Sequence, residues 1–254
     1  MSTLFRFLSG SPRLKRICIN SDTEALPDDA LDEVISLESL AELDYFCSLA
    51  DQILPYLRLP RLERLYVDFA LGSGRMQRLA DFLPYDGHQL LEGATKMEYH
   101  HSKSNIQYLG FDGDDVEVTL KARLAPENPI PINWFSDSSY IPLKRIQRVL
   151  VECSPNNANF PIASLENLEV LQILPCDDPF TEAFFPSLHP GAEIPCRSLL
   201  VIHYVKLEPL GPLISLAKAR LQAGHRLPLV YLPILSDQES IAELRELVGE
   251  VSVG

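Results

Sequence analysis

Cysteine patterns that would crosslink the chain or bind a metal are missing from it. The cysteines are odd in number and far apart, and no CxxC or CxxH pair occurs among Cys18, Cys47, Cys153, Cys176 and Cys196. A disulfide framework or a zinc site needs closely spaced pairs. The chain also lacks an Asn-x-Ser/Thr sequon, and its first residues lack an apolar core of signal-peptide length. We therefore expect a cytoplasmic or nuclear protein.

Basic residues are scarce. The chain has 22 Lys and Arg against 35 Asp and Glu, a net charge of −13, and the stretch 22–44 holds nine acidic residues and no basic one. Nucleic acids and anionic lipid surfaces bind to basic faces, so neither is an expected partner. The longest apolar run, around 199–207, is far shorter than the roughly 18–20 residues that span a bilayer.

Motifs for catalysis and for ligand binding are also nearly absent. The segment Leu71-Gly-Ser-Gly-Arg75 has no third glycine and no Gly-Lys-Ser/Thr tail, and no Gly-x-Ser-x-Gly elbow occurs. The carboxylates of 112–115 do not have EF-hand spacing. His100 and His101 are neighbours in an expected strand, so their side chains point to opposite faces and cannot easily share a metal. The sequence predicts no enzyme, no catalytic residue, no metal site and no cofactor.

Leucine, by contrast, is abundant, with 42 residues, and it recurs in one pattern. An apolar residue is followed by a second one three positions later and by a third two positions after that. The alternating tail is typical of a short strand, and the earlier apolar residue turns the chain inward. The pattern occurs six times, at Leu14-x-x-Ile17-x-Ile19, Leu40-x-x-Leu43-x-Tyr45, Leu62-x-x-Leu65-x-Val67, Ile146-x-x-Val149-x-Val151, Leu168-x-x-Leu171-x-Ile173 and Leu199-x-x-Ile202-x-Tyr204.

These repeats predict the fold class. Neighbouring units follow one another at 22 to 31 residues, close to the roughly 20–29 of a leucine-rich repeat. One such repeat cannot bury its apolar face, so several must stack to form a continuous core. The expected fold is α/β: an irregular, curved leucine-rich-repeat solenoid of parallel strands and helical returns. We expect it to form a single domain over residues 1–254.

Other segments fill the space between the strands. Apolar residues three and four apart predict helices at 49–57, 76–83 and 213–221, the last closed by Gly224. A final helix is predicted after a capping box of Ser236 and Glu239. Alternation over 94–124 predicts a small β-meander inserted in the repeats, with a hairpin turn whose tip is Asp112-Gly113. The proline-rich stretch 125–140 is expected to be a loop.

The strand residues between the core positions form the candidate site. They face the concave surface of the expected solenoid, which such proteins commonly use for binding. Charged and aromatic side chains dominate this surface, as in many protein interfaces, and Arg64 and Tyr66 are the best candidates for anchors. The predicted partner-binding residues are Arg16, Glu42, Asp44, Arg64, Tyr66, Asp68, Arg148, Glu152, Gln172 and His203, with Cys18 beside them.

The repeat flanks resemble the leucine-rich region of fungal F-box proteins. The resemblance rests on Ser11-Pro-Arg-Leu-Lys-Arg-Ile, Leu57-Arg-Leu-Pro-Arg-Leu-Glu-Arg-Leu, Leu165-Glu-Asn-Leu-Glu-Val-Leu-Gln-Ile and Leu244-Arg-Glu-Leu-Val-Gly-Glu-Val. It implies a non-enzymatic module that recognises substrates for an SCF-type ubiquitin ligase. No F-box pattern occurs in the chain, so the SCF adaptor is an expected partner only if an F-box lies elsewhere. The alternative is a stand-alone leucine-rich-repeat scaffold unrelated to ubiquitination.

Overall fold

The computed structural model shows an α/β chain with large, mostly parallel β-structure and few helices. Its contacts divide the chain into two compact units, Met1–Ala94 with Ser104–Pro142 (unit 1) and Thr95–Lys103 with Leu143–Gly254 (unit 2). The single domain over 1–254 stays a prediction. The structure describes residues 3–21, 34–47, 53–70, 78–101, 106–124, 134–135, 141–152, 160–175, 184–191, 193–205, 210–234 and 237–254.

Unit 1 has a sheet in which parallel strands lie side by side in chain order. The order is β1-β3-β5-β8-β7, in which every pair is parallel except the antiparallel pair β7–β8. The strands are β1 (Arg16–Ser21), β3 (Glu42–Cys47), β5 (Arg64–Ala70), β7 (Ile106–Gly113) and β8 (Glu117–Arg123). The short strands β2 (Ile35–Ser36) and β4 (Leu57–Arg58) pair separately, and the described helices are α1 (Thr3–Ser9) and α2 (Gly87–Leu91).

Unit 2 has strands that all run parallel. Their order is β6-β9-β10-β11-β12-β13. The strands are β6 (Ala94–His101), β9 (Arg148–Glu152), β10 (Val170–Ile173), β11 (Val201–Tyr204), β12 (Leu229–Leu232) and β13 (Glu250–Val253), and the described helices are α3 (Gly211–Gln222) and α4 (Gln238–Leu247). Only the first residue of β6, Ala94, is assigned to unit 1.

The register of these strands follows the sequence repeat. All six predicted strands are present, and each core position lies opposite the same position of its neighbour. In unit 2, Val149, Leu171 and Ile202 are consecutive partners across β9, β10 and β11. Leu43 and Leu65 match in the same way in unit 1. The repeat therefore sets the strand register, because a slip of one residue would expose every core side chain.

A repeated turn introduces most of these strands. The amide of the first apolar residue in the motif donates to the carbonyl three residues earlier, as in Leu40 to Leu37, Leu62 to Leu59 and Leu168 to Leu165. The turn buries the leucines at both of its ends. In these three units the extra leucine ahead of the strand therefore packs in the core and also closes the turn.

Three further repeats of the same pattern supply strands of unit 2. They are Ala94-x-x-Met97-x-Tyr99, Leu227-x-x-Val230-x-Leu232 and Val248-x-x-Val251-x-Val253, which form β6, β12 and β13. The strands predicted within 94–124 are also present. However, β6 is parallel to β9 in unit 2, and β8 is parallel to β5 in unit 1.

Local elements correct several details. The helix predicted over 49–57 is a 3-10 turn at Leu54–Tyr56 followed by β4. The helix predicted over 76–83 is a 3-10 turn at Leu79–Phe82. Residues 49–52 and 76–77 lie outside the described part. The last helix is capped by Asp237, whose carboxylate accepts from the Ser240 amide at 2.8 Å, whereas the predicted Ser236 lies outside the described residues. The helix ending at Gly224 is confirmed, with φ of 77° at that glycine. Of the predicted loop, only Trp134 and Phe135 are described, in a turn.

The hairpin between β7 and β8 is confirmed, but its tip is Asp114-Asp115. Gly113 still belongs to β7, and its amide donates to the Val116 carbonyl at 2.9 Å. A Cβ atom at Gly113 would collide with the carbonyl oxygen of Gly93. Glycine is required here because two backbones approach closely.

Replacement of Gly113 by alanine is therefore expected to lower the free energy of unfolding by about 2 kcal/mol, the scale of overpacking against a rigid neighbour. Gly211 is the matched control, because nothing lies within 4 Å of the Cβ that alanine would add there. Gly211→Ala should change stability by less than about 0.5 kcal/mol. Urea denaturation followed by circular dichroism measures both, and equal losses would contradict the close-approach argument.

Candidate interaction surface

Every second residue of each strand points away from the core, and these residues form the surface. In unit 1 the structure brings together the predicted Arg16, Glu42, Asp44, Arg64, Tyr66 and Asp68, because β1, β3 and β5 are parallel neighbours. In unit 2 it places the predicted Arg148, Glu152, Gln172 and His203 on β9, β10 and β11. Their binding role stays a prediction.

One ion-pair cluster covers the beginning of the unit 1 strands. Arg16 contacts Glu42 at 3.3 Å and Asp44 at 3.4 Å. Arg64 contacts the same two carboxylates at 3.7 and 3.4 Å, and Glu117 on β8 at 3.9 Å. Opposite charges alternate along the register, which fixes Arg64 among three acids. The Asp44 side chain is only 11% exposed, whereas both arginines and the other two carboxylates reach solvent. Ion pairs that reach solvent contribute little to stability, but they define a charge pattern.

A second cluster lies two positions further along the strands. Asp68 contacts Lys121 at 3.2 Å and Arg123 at 2.8 Å. The Asp68 side chain is only 6% exposed, because the two cationic side chains cover it. The alternation of the sequence predicts that this acid faces outward, but it does not predict this cover. Between the two clusters, the rings of Phe46 and Tyr66 lie 5.4 Å apart. Tyr66 therefore lies in an aromatic pair with ion pairs on both sides.

The unit 2 surface is different, because its centre is apolar. Val170, Val201 and Leu229 are consecutive register partners in one row, and all three side chains are half-buried. The next row reads Leu150, Gln172, His203 and Tyr231. His203 and Tyr231 stack with ring centroids 4.3 Å apart and planes inclined by 21°. Burial lowers the pKa of His203, so the neutral imidazole is favoured in the stack.

Polar residues surround this apolar centre. Arg148 and Lys96 are register partners at one end of the first row, and Glu250 lies at the other end. On the far side, His100 Nδ1 lies 3.0 Å from a Glu152 carboxylate oxygen. An apolar centre with a charged rim is the usual composition of a protein interface.

Sequence reasoning missed much of this surface. In unit 2 it left out the apolar row and Tyr231, although the pattern Leu227-x-x-Val230-x-Leu232 indicates that Tyr231 faces outward. In unit 1 it left out Lys121 and Arg123, because β8 returns from a hairpin and lacks the leading leucine of the repeat. The alternating sequence of β8 nevertheless predicts a strand. It does not show that this strand pairs in parallel with β5.

Two other titratable groups, His101 and Cys196, are buried. His101, next to His100, is buried, and burial lowers its pKa. Burial raises the pKa of the Cys196 thiol to about 12, opposed by the charge of Arg220. Within the described ranges, no three His, Cys, Asp or Glu side chains are grouped as metal ligands would be. None of the helices in the part of the chain that the structure describes has the length and apolar character to cross a membrane.

Comparison with protein-family models, curated proteins and solved structures finds no match to this chain.

Proposed function

We propose that this chain is a leucine-rich-repeat module that binds a protein partner on the outward faces of its strands and carries out no catalytic step. The observation that supports the proposal is the half-exposed apolar row of Val170, Val201 and Leu229 beside the His203–Tyr231 stack. A merely solvated sheet face would carry polar side chains at these positions. Apolar patches with a polar rim are instead typical of binding surfaces.

The two surfaces have different roles in this proposal. The apolar row of unit 2 provides the area whose burial drives association. The alternating charges of unit 1, centred on Arg64, choose among partners, because a wrongly placed like charge is costly and a matched one adds little affinity. Tyr66, beside Phe46, is the anchor that we expect in unit 1, since aromatic residues dominate interface energetics.

A double variant tests the proposal. Val201→Ser with Tyr231→Ser removes two apolar side chains from the face and leaves the core positions untouched. The matched control is Phe7→Ser with Leu221→Ser, two exposed apolar residues on α1 and α3. Affinity purification of the tagged chain from its own cells, followed by mass spectrometry, identifies a stoichiometric partner. Titration then gives its affinity.

We expect the face variant to weaken this partner about tenfold, which corresponds to about 1.4 kcal/mol, and the control to change its affinity less than twofold. Equal affinity of the face variant and the wild type would contradict the proposal. Both variants must unfold at the same urea concentration as the wild type, so that a loss of binding is not a loss of folding.

The resemblance to F-box proteins supports a narrower proposal: the partner is a substrate presented to an SCF-type ubiquitin ligase. The same purification tests it when the proteasome is blocked. Recovery of the SCF adaptor and a cullin with the chain is the result that we expect. Recovery of another stoichiometric partner without them would favour the stand-alone scaffold.

A further inference from the structure

A cavity of about 210 Å³ lies in unit 1, away from the outward strand faces. Its walls come from three segments: the turn before β5, the helix α2 with its approach, and the tip of the β7–β8 hairpin. Leu59, Leu62, Pro84 and Val116 supply buried apolar walls, and the carboxylates Asp86 and Asp115 line it as well. Nothing in the proposed function accounts for this cavity.

We propose that this cavity receives an arginine side chain of a protein partner. The inference rests on the proposed function only in taking the ligand to be part of a protein. Small-molecule and cofactor pockets measure about 300–1,000 Å³, so this cavity is too small for most of them. It is large enough for one long side chain, whose methylene stem would lie against Leu59, Pro84 and Val116.

The charges at the cavity select a cation. Asp86 forms an ion pair with Arg58, at 2.9 Å, and so is balanced. Asp115 has no ion-pair partner among the described residues, and it lies in a hairpin that also carries Asp112 and Asp114. The whole chain carries a net charge of −13, which draws basic partners and repels acidic ones.

Arginine fits the walls better than lysine does. A guanidinium is planar and weakly hydrated, so it tolerates a half-apolar setting and can bond a carboxylate through two N–H groups. A lysine ammonium is more strongly hydrated and gains less from such walls. Asp115 is the carboxylate available for that contact.

The test uses a single-residue probe, Nα-acetyl-L-arginine N-methylamide, added to the isotope-labelled full chain. Chemical shifts of the methyl groups of Leu59, Leu90 and Val116 and of the Gly93 amide report on the cavity. We expect saturable shifts at these residues with a Kd of about 1 mM, the range of a small exposed ligand. The norleucine analogue, which lacks the charge, and the lysine analogue should both bind several-fold more weakly.

Asp115→Asn should weaken the arginine probe about fivefold, the effect of losing one exposed ion pair at the upper end of its range. Asp114→Asn makes the same charge change one residue away from the cavity lining and should have less than a twofold effect. Three results would overturn the inference: no shift at the cavity, equal binding of the norleucine or lysine analogue, or equal effects of the two variants. None of them bears on the Val201 and Tyr231 variant, whose result judges the proposed function alone.

Discussion

Replacing Leu171 by alanine should lower the free energy of unfolding by about 3 kcal/mol, the usual cost of a Leu→Ala cavity in a packed core. Leu171 is fully buried in β10, and its register partners on the two sides are Val149 and Ile202. The side chain therefore supports two neighbouring repeats at once. Collapse of the cavity is hindered because both neighbours are themselves held in register.

Gln172→Ala is the control for this prediction, since Gln172 is the next residue of the same strand. It faces outward, half-exposed, between Leu150 and His203. We expect it to change stability by less than about 0.5 kcal/mol. Urea denaturation measures both variants. A larger effect for Gln172 than for Leu171 would mean that Gln172 faces the core and Leu171 faces outward, contrary to the register described.

The second large effect is expected at Arg220, which is almost completely buried on α3. Its guanidinium donates to the carbonyl oxygen of Pro195 at 2.9 Å and to that of Cys196 at 3.2 Å. Cys196 has a φ of 47°, and its thiol donates to the carbonyl of Ile162. The arginine thus holds the turn that leads into β11.

Arg220→Ala should cost about 3 kcal/mol, because the buried Cys196 carbonyl and the part-buried Pro195 carbonyl lose their donors and a cavity is left. Burial of the guanidinium charge lowers the pKa of Arg220 and costs free energy in the wild type. The alanine variant avoids this cost, which keeps the loss of stability from being larger. Arg226→Ala is the matched control. Arg226 also donates to two carbonyls, those of Glu246 and Leu247, but it is exposed, and water can replace it.

The control should therefore lose less than about 1 kcal/mol. Thermal and urea unfolding measure both arginine variants. If Arg220→Ala were as stable as the wild type, the two carbonyl contacts would contribute nothing, and the turn before β11 would be held by other groups.

The parallel strands could be predicted from the sequence, because the repeat combines two constraints. Alternation marks the strand, and the apolar residue three positions before its first core residue marks the turn. Each of the six predicted units, such as Leu168-x-x-Leu171-x-Ile173, carries both marks, and each is a strand in the structure. The further units at Val230 and Val251 carry the same marks.

The short returns were predicted wrongly because apolar spacing alone does not give a helix length. Pro55 lies in the turn Leu54–Tyr56, where a 3-10 turn is followed directly by β4. The long helix α3 was predicted correctly, with Gly224 after its end. Its buried arginine was not, since no periodicity indicates that a charged residue will find carbonyl partners in the core.

The apolar face of unit 2 was missed for a related reason. The run Leu199-Leu-Val-Ile-His-Tyr204 has apolar residues at consecutive positions, so both faces of the strand look like core. Only the register shows that Val201 aligns with Val170 and Leu229 on the outward face.

Site-specific photo-crosslinking shows directly whether a protein partner binds the outward faces of the strands. A benzophenone amino acid replaces Tyr231 in one variant and Leu221 in another; the two side chains have nearly equal exposure, 37% and 39%. We expect the partner identified by purification to crosslink at position 231 and not at position 221. Crosslinking at 221 alone, or retained binding with no crosslink at 231, would contradict it.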